Sequence, residues 1–387
     1  MVVRDIQDLL HYYGQQFRSV MLVGPRQSGK TTLAKMVFPA KKYVSLENPD
    51  ERNLALSDPK AFLNRFPSGA ILDEVQRAPE LLNYLQEILD NTTEDGLFIL
   101  TGSNNLLLQE NVSQTLAGRI GVLDLYPLSY HELQNQDRQY TLNELILRGF
   151  YPEIHQKNRN PDLWYQSYVR TYVERDVRQL KNIDNAMLFF KFLRLCAGRV
   201  GQTVNRSALS NECGIDVKTV DSWLSILEKT FVIKMLPTYF NNFNKRLVKT
   251  PKLYFVDTGL ACSLLSIKKE SELEVSHFRG SLVENLIIME FVKNNANLNL
   301  GHQFYFWRDN KGLEIDLIIQ SANQLVAAEI KSAQTFSSDF VKGLKKFNAL
   351  SGEKGGVLIY DGEMEFTSQE LIKVVNWKSA LINLHVI

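Results

Sequence analysis

Gly24, Gly29, Lys30 and Thr31 stand at the fixed positions of a phosphate-binding loop, with Pro25, Arg26, Gln27 and Ser28 between the glycines and Thr32 after them. The chemistry asks for these types at these places. Two glycines let the backbone curl until its N–H groups point at phosphate oxygens, and a helix opening at Lys30 adds its positive end. Lys30 can then reach the β- and γ-phosphates, while the Thr31 hydroxyl can ligate magnesium. An apolar run ending in Asp73 and Glu74 supplies the complementary groups. A carboxylate at a strand tip can hold magnesium through water, which is the role assigned to Asp73, and its neighbour Glu74 can orient and deprotonate the attacking water.

Two further polar positions belong to the same chemistry. Leu97-Phe-Ile-Leu-Thr-Gly-Ser-Asn reads as a strand leading into a polar turn, the strand that lies between the two motif strands in additional-strand ATPases. Of Thr101, Ser103 and Asn104 at its tip, Ser103 or Asn104 is favoured as the group that senses the γ-phosphate. Each serves equally well as a turn residue satisfying local backbone. Arg119, in Leu116-Ala-Gly-Arg, is the candidate for an arginine finger inserted into a neighbouring subunit of a homo-oligomer, where it would stabilise charge on the transferred phosphoryl group. A solvated surface arginine is the plainer alternative.

A second constellation lies near the C-terminus. Asp316 is followed after twelve residues by Glu329-Ile-Lys331, and Glu284 sits on a strong helical pattern upstream. Glu329 and Lys331 are two apart on a strand and face the same side, and strand pairing can bring Asp316 beside them. Asp316 and Glu329 can hold magnesium, while Lys331 can orient a water or steady developing negative charge. An exposed charged strand face is the competing reading.

The elements that must position these groups follow from hydrophobic period and punctuation. Val20–Val23 is a buried parallel strand and Leu33–Val37 a helix, preceded by a short amphipathic helix over Ile6, Leu9, Leu10 and Tyr13. Further strands are expected at Tyr43–Leu46, Ala70–Glu74 and Ile120–Leu125, with helices at Pro59–Phe66 and Pro79–Leu89. The chain turns helical from about Tyr130, at Leu142–Leu147, Trp164–Leu180 and Ala186–Cys196. Gly149-Phe-Tyr-Pro152 either breaks these helices or lays Pro152 against an adenine ring. Arg206–Thr230 has helix-turn-helix spacing, and strands at Val232–Leu236 and Lys252–Val256, joined by a loop with Lys245, Arg246 and Lys249, make a winged helix the natural reading. A protein-docking or lid module is its alternative. After the helix Ser281–Val292 come strands at Glu314–Ile319, Leu325–Lys331 and Gly356–Tyr360 and a helix at Asp339–Phe347.

The 387 residues, 44% hydrophobic and 22% charged, describe an ordinary globular chain of two or three domains. A net charge of +1 excludes a histone-like basic or strongly acidic whole, so any nucleic-acid surface must be local. Three widely spaced cysteines, Cys196, Cys213 and Cys262, read as reduced and buried, and no run is long enough to span a membrane, so a cytoplasmic location without membrane contact is expected. The joints fall near Leu128–Tyr140 and Lys268–His277, which divides the chain into 1–130, 131–200, 201–270 and 271–387.

With these residues in place the chain resembles a prokaryotic family of AAA+ superfamily ATPases that carry a C-terminal domain of unknown function. The resemblance runs through Gly-Pro-Arg-Gln-Ser-Gly-Lys-Thr-Thr, Leu-Asp-Glu-Val-Gln-Arg, Leu-Thr-Gly-Ser, Leu-Ala-Gly-Arg and Pro-Leu-Ser-Tyr-His-Glu-Leu, then Tyr-Phe-Val-Asp-Thr-Gly-Leu and Phe-Arg-Gly-Ser-Leu-Val-Glu-Asn. It implies a P-loop α/β domain with a parallel sheet, a helical lid, a winged helix, and an α/β fold like the PD-(D/E)xK nucleases. It implies ATP and Mg²⁺ as ligands, with Lys30, Thr31, Asp73 and Glu74 at the ATP site and Glu284, Asp316, Glu329 and Lys331 at the nuclease-like positions. Ile315 stands where the nuclease label has proline. Two activities are consistent with this. One is an ATPase that acts on DNA; the other is a nucleotide-dependent switch or scaffold whose C-terminal domain contacts a protein partner without chemistry.

Overall fold

The computed structural model describes residues 2–103, 116–134, 138–172, 186–239, 250–309, 311–322 and 324–383. Asn104, the basic loop residues Lys245, Arg246 and Lys249, and the expected helix beyond residue 172 lie outside them.

Helix α1 (Gln7–Tyr13) precedes β1 (Ser19–Gly24), whose six residues are all buried. Then come α2 (Lys30–Val37), β2 (Lys42–Ser45), α3 (Pro49–Ser57), α4 (Pro59–Asn64), β3 (Ala70–Asp73), α5 (Leu81–Asp90), β4 (Phe98–Ser103) and β5 (Ile120–Asp124). The five strands form one parallel sheet in the order β2-β3-β4-β1-β5. A parallel sheet with helical crossovers is covered on both faces, and strand alternation divides its side chains between them. Val20 and Leu22 pack with Ile6 just before α1, Leu10 of α1 and Leu33 of α2, whereas Met21 and Val23 pack with Phe62, Leu81 and Leu85 of α4 and α5. The order places β4 between β1 and β3, as its reading as the additional strand requires.

Short helices α6 (Tyr130–Gln134), α7 (Leu142–Arg148), α8 (Pro152–Gln156), α9 (Pro161–Tyr172) and α10 (Ala186–Ala197) follow. Helices α11 (Arg206–Cys213) and α12 (Val217–Lys229) are capped by Asn205 and Asp216, and the turn between them uses Gly214 at φ +77°. Strands β6 (Ile233–Leu236) and β7 (Lys252–Phe255) pair antiparallel behind them. Helices α13 (Thr258–Leu264) and α14 (Glu270–Glu274) lead into α15 (Arg279–Leu298), a 20-residue helix buried on nearly every side.

The last sheet is mixed, in the order β12-β13-β11-β10-β9-β8, built from β8 (Gln303–Arg308), β9 (Glu314–Gln320), β10 (Leu325–Lys331), β11 (Gly356–Tyr360), β12 (Phe366–Thr367) and β13 (Ile372–Asn376). Helix α16 (Lys342–Ser351) covers one face, and α17 (Trp377–Ile382) closes the described chain. One apolar core runs from Leu128 through the helical region to Ala328 and Leu381, with Leu282, Leu286 and Ile287 of α15 inside it. Met289 and Val292 of the same helix belong instead to the core of the first sheet. Helix α15 therefore serves both cores, and in the stretch from Leu128 to Gln134 all but His131 and Gln134 are buried. All three cysteines are buried and unpaired by disulfides.

Candidate functional site

The phosphate loop has the backbone its sequence demands. Gly29 sits at φ +96°, and a Cβ on Gly24 would lie 2.1 Å from the Leu125 carbonyl oxygen, so only glycine fits there. Gln27 also has positive φ, at 61°. Lys30 folds its buried ammonium back onto the Gly24 and Pro25 carbonyls at 3.0 and 2.7 Å. The buried Ser28 hydroxyl has no hydrogen-bond partner among the described residues. An orphaned hydroxyl beside a curled backbone is what a phosphate oxygen would satisfy. Thr32 is the third residue of α2.

Asp73 is the hub of the site. Thr31 Oγ1 donates to its Oδ1 at 2.8 Å, Thr101 Oγ1 donates to the same oxygen, and the Tyr43 hydroxyl donates to Oδ2 at 2.9 Å. A hydroxyl and a carboxylate this close are the donor set of a magnesium site. The β4 side chain on Asp73 is Thr101. Ser103 is the last residue of β4, two positions past Thr101, and Asn104 lies outside the described residues. Tyr43 carried no chemical signal in the sequence. Burial, and then its bond to Asp73, pushes its phenol up to about 12.

Glu74 follows at φ 58°, a left-handed conformation unusual for a glutamate, and its carboxylate accepts from Gln76 Nε2. Strain of this kind fixes the carboxylate's direction as the chain leaves β3. Arg119 precedes β5, and the β1–β5 register pairs Ser19 with Ile120. It therefore sits at the end of the sheet away from Gly24, roughly 16 Å along the strands. Its guanidinium is bonded to Asp90, at 3.1 Å for Nη2, so it cannot serve its own chain's loop.

The second constellation assembles as the strands pair. The register Ala328 to Leu317 sets Asp316 across from Glu329, and Lys331 Nζ lies 2.7 Å from Glu329 and 3.4 Å from Asp316. The Ile330 N–H donates to Asp316 at 2.9 Å. Glu284 arrives from α15. Between these carboxylates stands a residue to which the sequence assigned no chemistry, Lys252 of β7, buried, with Nζ 2.9 Å from Glu284, 2.5 Å from Glu314 and 4.0 Å from Asp316. Tyr254 donates to Glu284 as well. Among the described residues no three His, Cys, Asp or Glu side chains are disposed to hold a metal ion. Of the expected magnesium set, Glu284 and Asp316 meet the Lys252 ammonium, and Asp316 and Glu329 meet that of Lys331. Burial raises Glu284, and burial with the Asp316 charge raises Glu329. Burial opposes the ionised form of Asp316 too, but Lys331 and Lys252 hold it below its ordinary value.

Two of the family-like strings meet here for structural reasons. The Asn285 side-chain amide mimics a strand, accepting from Phe255 N and donating to Phe255 O, both at 2.7 Å. Asp257 caps α13 and accepts from Phe150 N at 2.7 Å and Tyr165 Oη at 2.6 Å, beside Gly149, where a Cβ would meet Asp257 at 2.2 Å. Arg279 donates to Asn143, to the Ser332 carbonyl and to Asp361.

Three family models match the chain: an AAA domain over residues 16–134, a domain of unknown function (DUF8612) over 139–271, and another (DUF4143) over 279–380. An uncharacterized protein of Mycobacterium tuberculosis is 29% identical over 320 residues, covering 82% of this chain and 70% of the relative. One of Haemophilus influenzae is 22% identical and covers 97% and 98%. A solved Walker-type ATPase of Pyrococcus abyssi matches at TM-score 0.44 and 15% identity, covering 67% of this chain and 95% of its own. No helix among the described residues is long and apolar enough to cross a membrane. An AAA domain model thus falls on the parallel sheet and a DUF4143 model on the C-terminal end, and in carrying both the chain is similar to prokaryotic P-loop ATPases that combine the two.

Proposed function

We propose that this protein binds ATP with magnesium on the 24–32 loop and hydrolyses it. The observation that carries the reading is the convergence of Thr31, Thr101 and Tyr43 on Asp73 beside the loop. Lys30 exchanges the Gly24 and Pro25 carbonyls for β- and γ-phosphate oxygens. The Thr31 hydroxyl and Asp73 would hold magnesium, which neutralises charge on the phosphates. Glu74 orients and deprotonates the attacking water, and Arg119 acts on a neighbouring subunit's nucleotide. Titration calorimetry with ATP and Mg²⁺ tests this: the wild type and Glu74→Gln bind, only the wild type turns over, and Lys30→Ala gives no heat. A wild type without binding overturns it.

For the C-terminal region, one observation favours a nucleotide-dependent scaffold over cutting of DNA. Lys252 supplies, from within the chain, positive charge among carboxylates that a divalent cation would otherwise neutralise. The helix pair α11–α12 points the same way, since its Arg206 is bonded to Asp221. A DNA-reading face carries unpaired cations. Nicking of plasmid DNA with Mg²⁺ or Mn²⁺, present in the wild type and absent in Asp316→Ala, would restore the nuclease reading.

A further inference from the structure

Arg4, three residues before α1, lies buried with all its polar reach used. Nη1 donates to the Ser28 carbonyl at 2.8 Å, Nη2 to the Tyr126 carbonyl at 2.8 Å, and Nε to Glu132 Oε1 at 2.9 Å. The first partner is in the phosphate loop. The second follows β5, and the third is on α6. A trans peptide points its carbonyl and the next N–H in opposite directions. Holding the Ser28 oxygen on the outside of the loop therefore turns the Gly29 N–H inward, where a phosphate oxygen would be met.

The partner carboxylate is equally committed. Glu132 is fully buried and also accepts from the N–H groups of Asp5 and Ser129, at 2.8 and 2.9 Å. Asp5 in turn accepts from the Ser129 hydroxyl at 2.9 Å. On its other side the same turn is gripped by α15: Tyr130 N donates to Glu290 at 2.6 Å, and Lys293 Nζ reaches Glu290 at 2.7 Å and the Leu128 carbonyl at 2.9 Å. Glu290 and Lys293 are buried, and the ammonium lies 3.7 Å from the centre of the Phe150 ring. Buried charges like these cost desolvation and persist only where each partner is bonded, so a shift at one end is passed on rather than absorbed by water. Glu284 lies on the same helix as Glu290, six residues and roughly 9 Å along the axis.

We propose that Arg4 is a positioning residue of the phosphate loop, and that the 128–132 turn it grips through Glu132 couples that loop to α15. The proposal rests on nucleotide binding at Gly24–Thr32. When phosphate oxygens engage the Gly29 N–H, the Ser28 peptide settles, Arg4 follows its carbonyl, and the turn carries the change to Glu290 and Lys293. Lysine at position 4 keeps the charge but has one nitrogen and cannot bridge three acceptors in a plane.

The test measures ATP affinity by calorimetry and backbone hydrogen exchange with and without Mg-ATP, on the full chain. Arg4→Lys is expected to weaken ATP binding at least tenfold while kcat at saturating ATP changes less than threefold, since only loop geometry is lost. In the wild type, ATP is expected to change exchange in residues 128–134 and in α15; in Glu132→Gln that response in α15 disappears while ATP still binds. Unchanged affinity in folded Arg4→Lys overturns the positioning role, and α15 exchange indifferent to ATP in a wild type that binds it overturns the coupling. If Arg4→Lys does not fold, a tenfold loss of affinity in folded Glu132→Gln supports the positioning role and unchanged affinity rejects it. A wild type that binds no ATP would instead refute the underlying nucleotide reading.

Discussion

Tyr43 on β2 donates its hydroxyl to Asp73 Oδ2 at 2.9 Å, leaving Oδ1 for Thr31 and Thr101 on the loop side. The phenol thereby fixes the carboxylate's rotation. One such bond to a charged acceptor contributes on the order of 1–2 kcal/mol. Tyr43→Phe should weaken Mg-ATP binding roughly fivefold to tenfold and leave binding of ATP in EDTA nearly unchanged. Equal losses in the two conditions would detach Tyr43 from the magnesium side of the site.

Arg119 and Asp90 are exposed enough that water screens their ion pair. A neighbouring subunit's phosphate can compete for the arginine at small cost. ATP turnover per chain should therefore rise with protein concentration, and Arg119→Ala should remove the rise. Asp90→Ala should keep it. Turnover independent of concentration in a monomer would remove the finger role.

Replacing Lys252 leaves Glu284, Glu314 and Asp316 without the buried cation at their centre. Lys252→Met should cost about 3–5 kcal/mol in urea unfolding, the scale for breaking a buried ion pair. The carboxylates then lack only a counter-ion. Mn²⁺ should raise the melting temperature of Lys252→Met by several degrees and leave the wild type unmoved. Equal responses would mean that the ammonium does not occupy the cation's place.

His155 is buried and neutral, with one ring nitrogen 2.7 Å from the Gly149 carbonyl and the other 3.1 Å from the Tyr140 hydroxyl. Burial lowers its pKa to about 4 from the ordinary 6.5. The unfolded chain takes up this proton first as pH falls, so the stability it contributes is whole above pH 6.5 and is lost progressively toward pH 4. The full loss is about 3 kcal/mol. His155→Gln should be less stable at pH 7 yet flatter between pH 6.5 and 4.5 in urea midpoints. An unchanged acid slope would exclude the imidazole as its source.

Several elements emerged at the expected places because their signals are local. Strand β3 begins at Ala70, β5 begins at Ile120, and α4 starts after Asp58 with Pro59, as apolar period and capping residues dictate. Helix α3 and strand β8 gave weak signals. The first is a mostly polar surface helix, and the second is a run of four consecutive aromatic residues that shows no two-residue alternation. Strands β12 and β13 form at the edge of a sheet whose other strands come from earlier in the chain, and local pattern does not announce such pairing.

The phosphate loop and the Asp73-Glu74 tip were set by contiguous residues, since a glycine's φ and a strand's end are decided within a few positions. The company those residues keep was decided by packing. Thr101 meets Asp73 across 28 positions, Lys252 meets Glu284 across 32, and Arg4 meets Glu132 across 128. Nothing in the spacing of such pairs distinguishes them from solvated surface charge. Only the closing of two sheets around α15 removes water from them, and it is that exclusion which turns a scattered arginine, lysine and threonine into parts of a site.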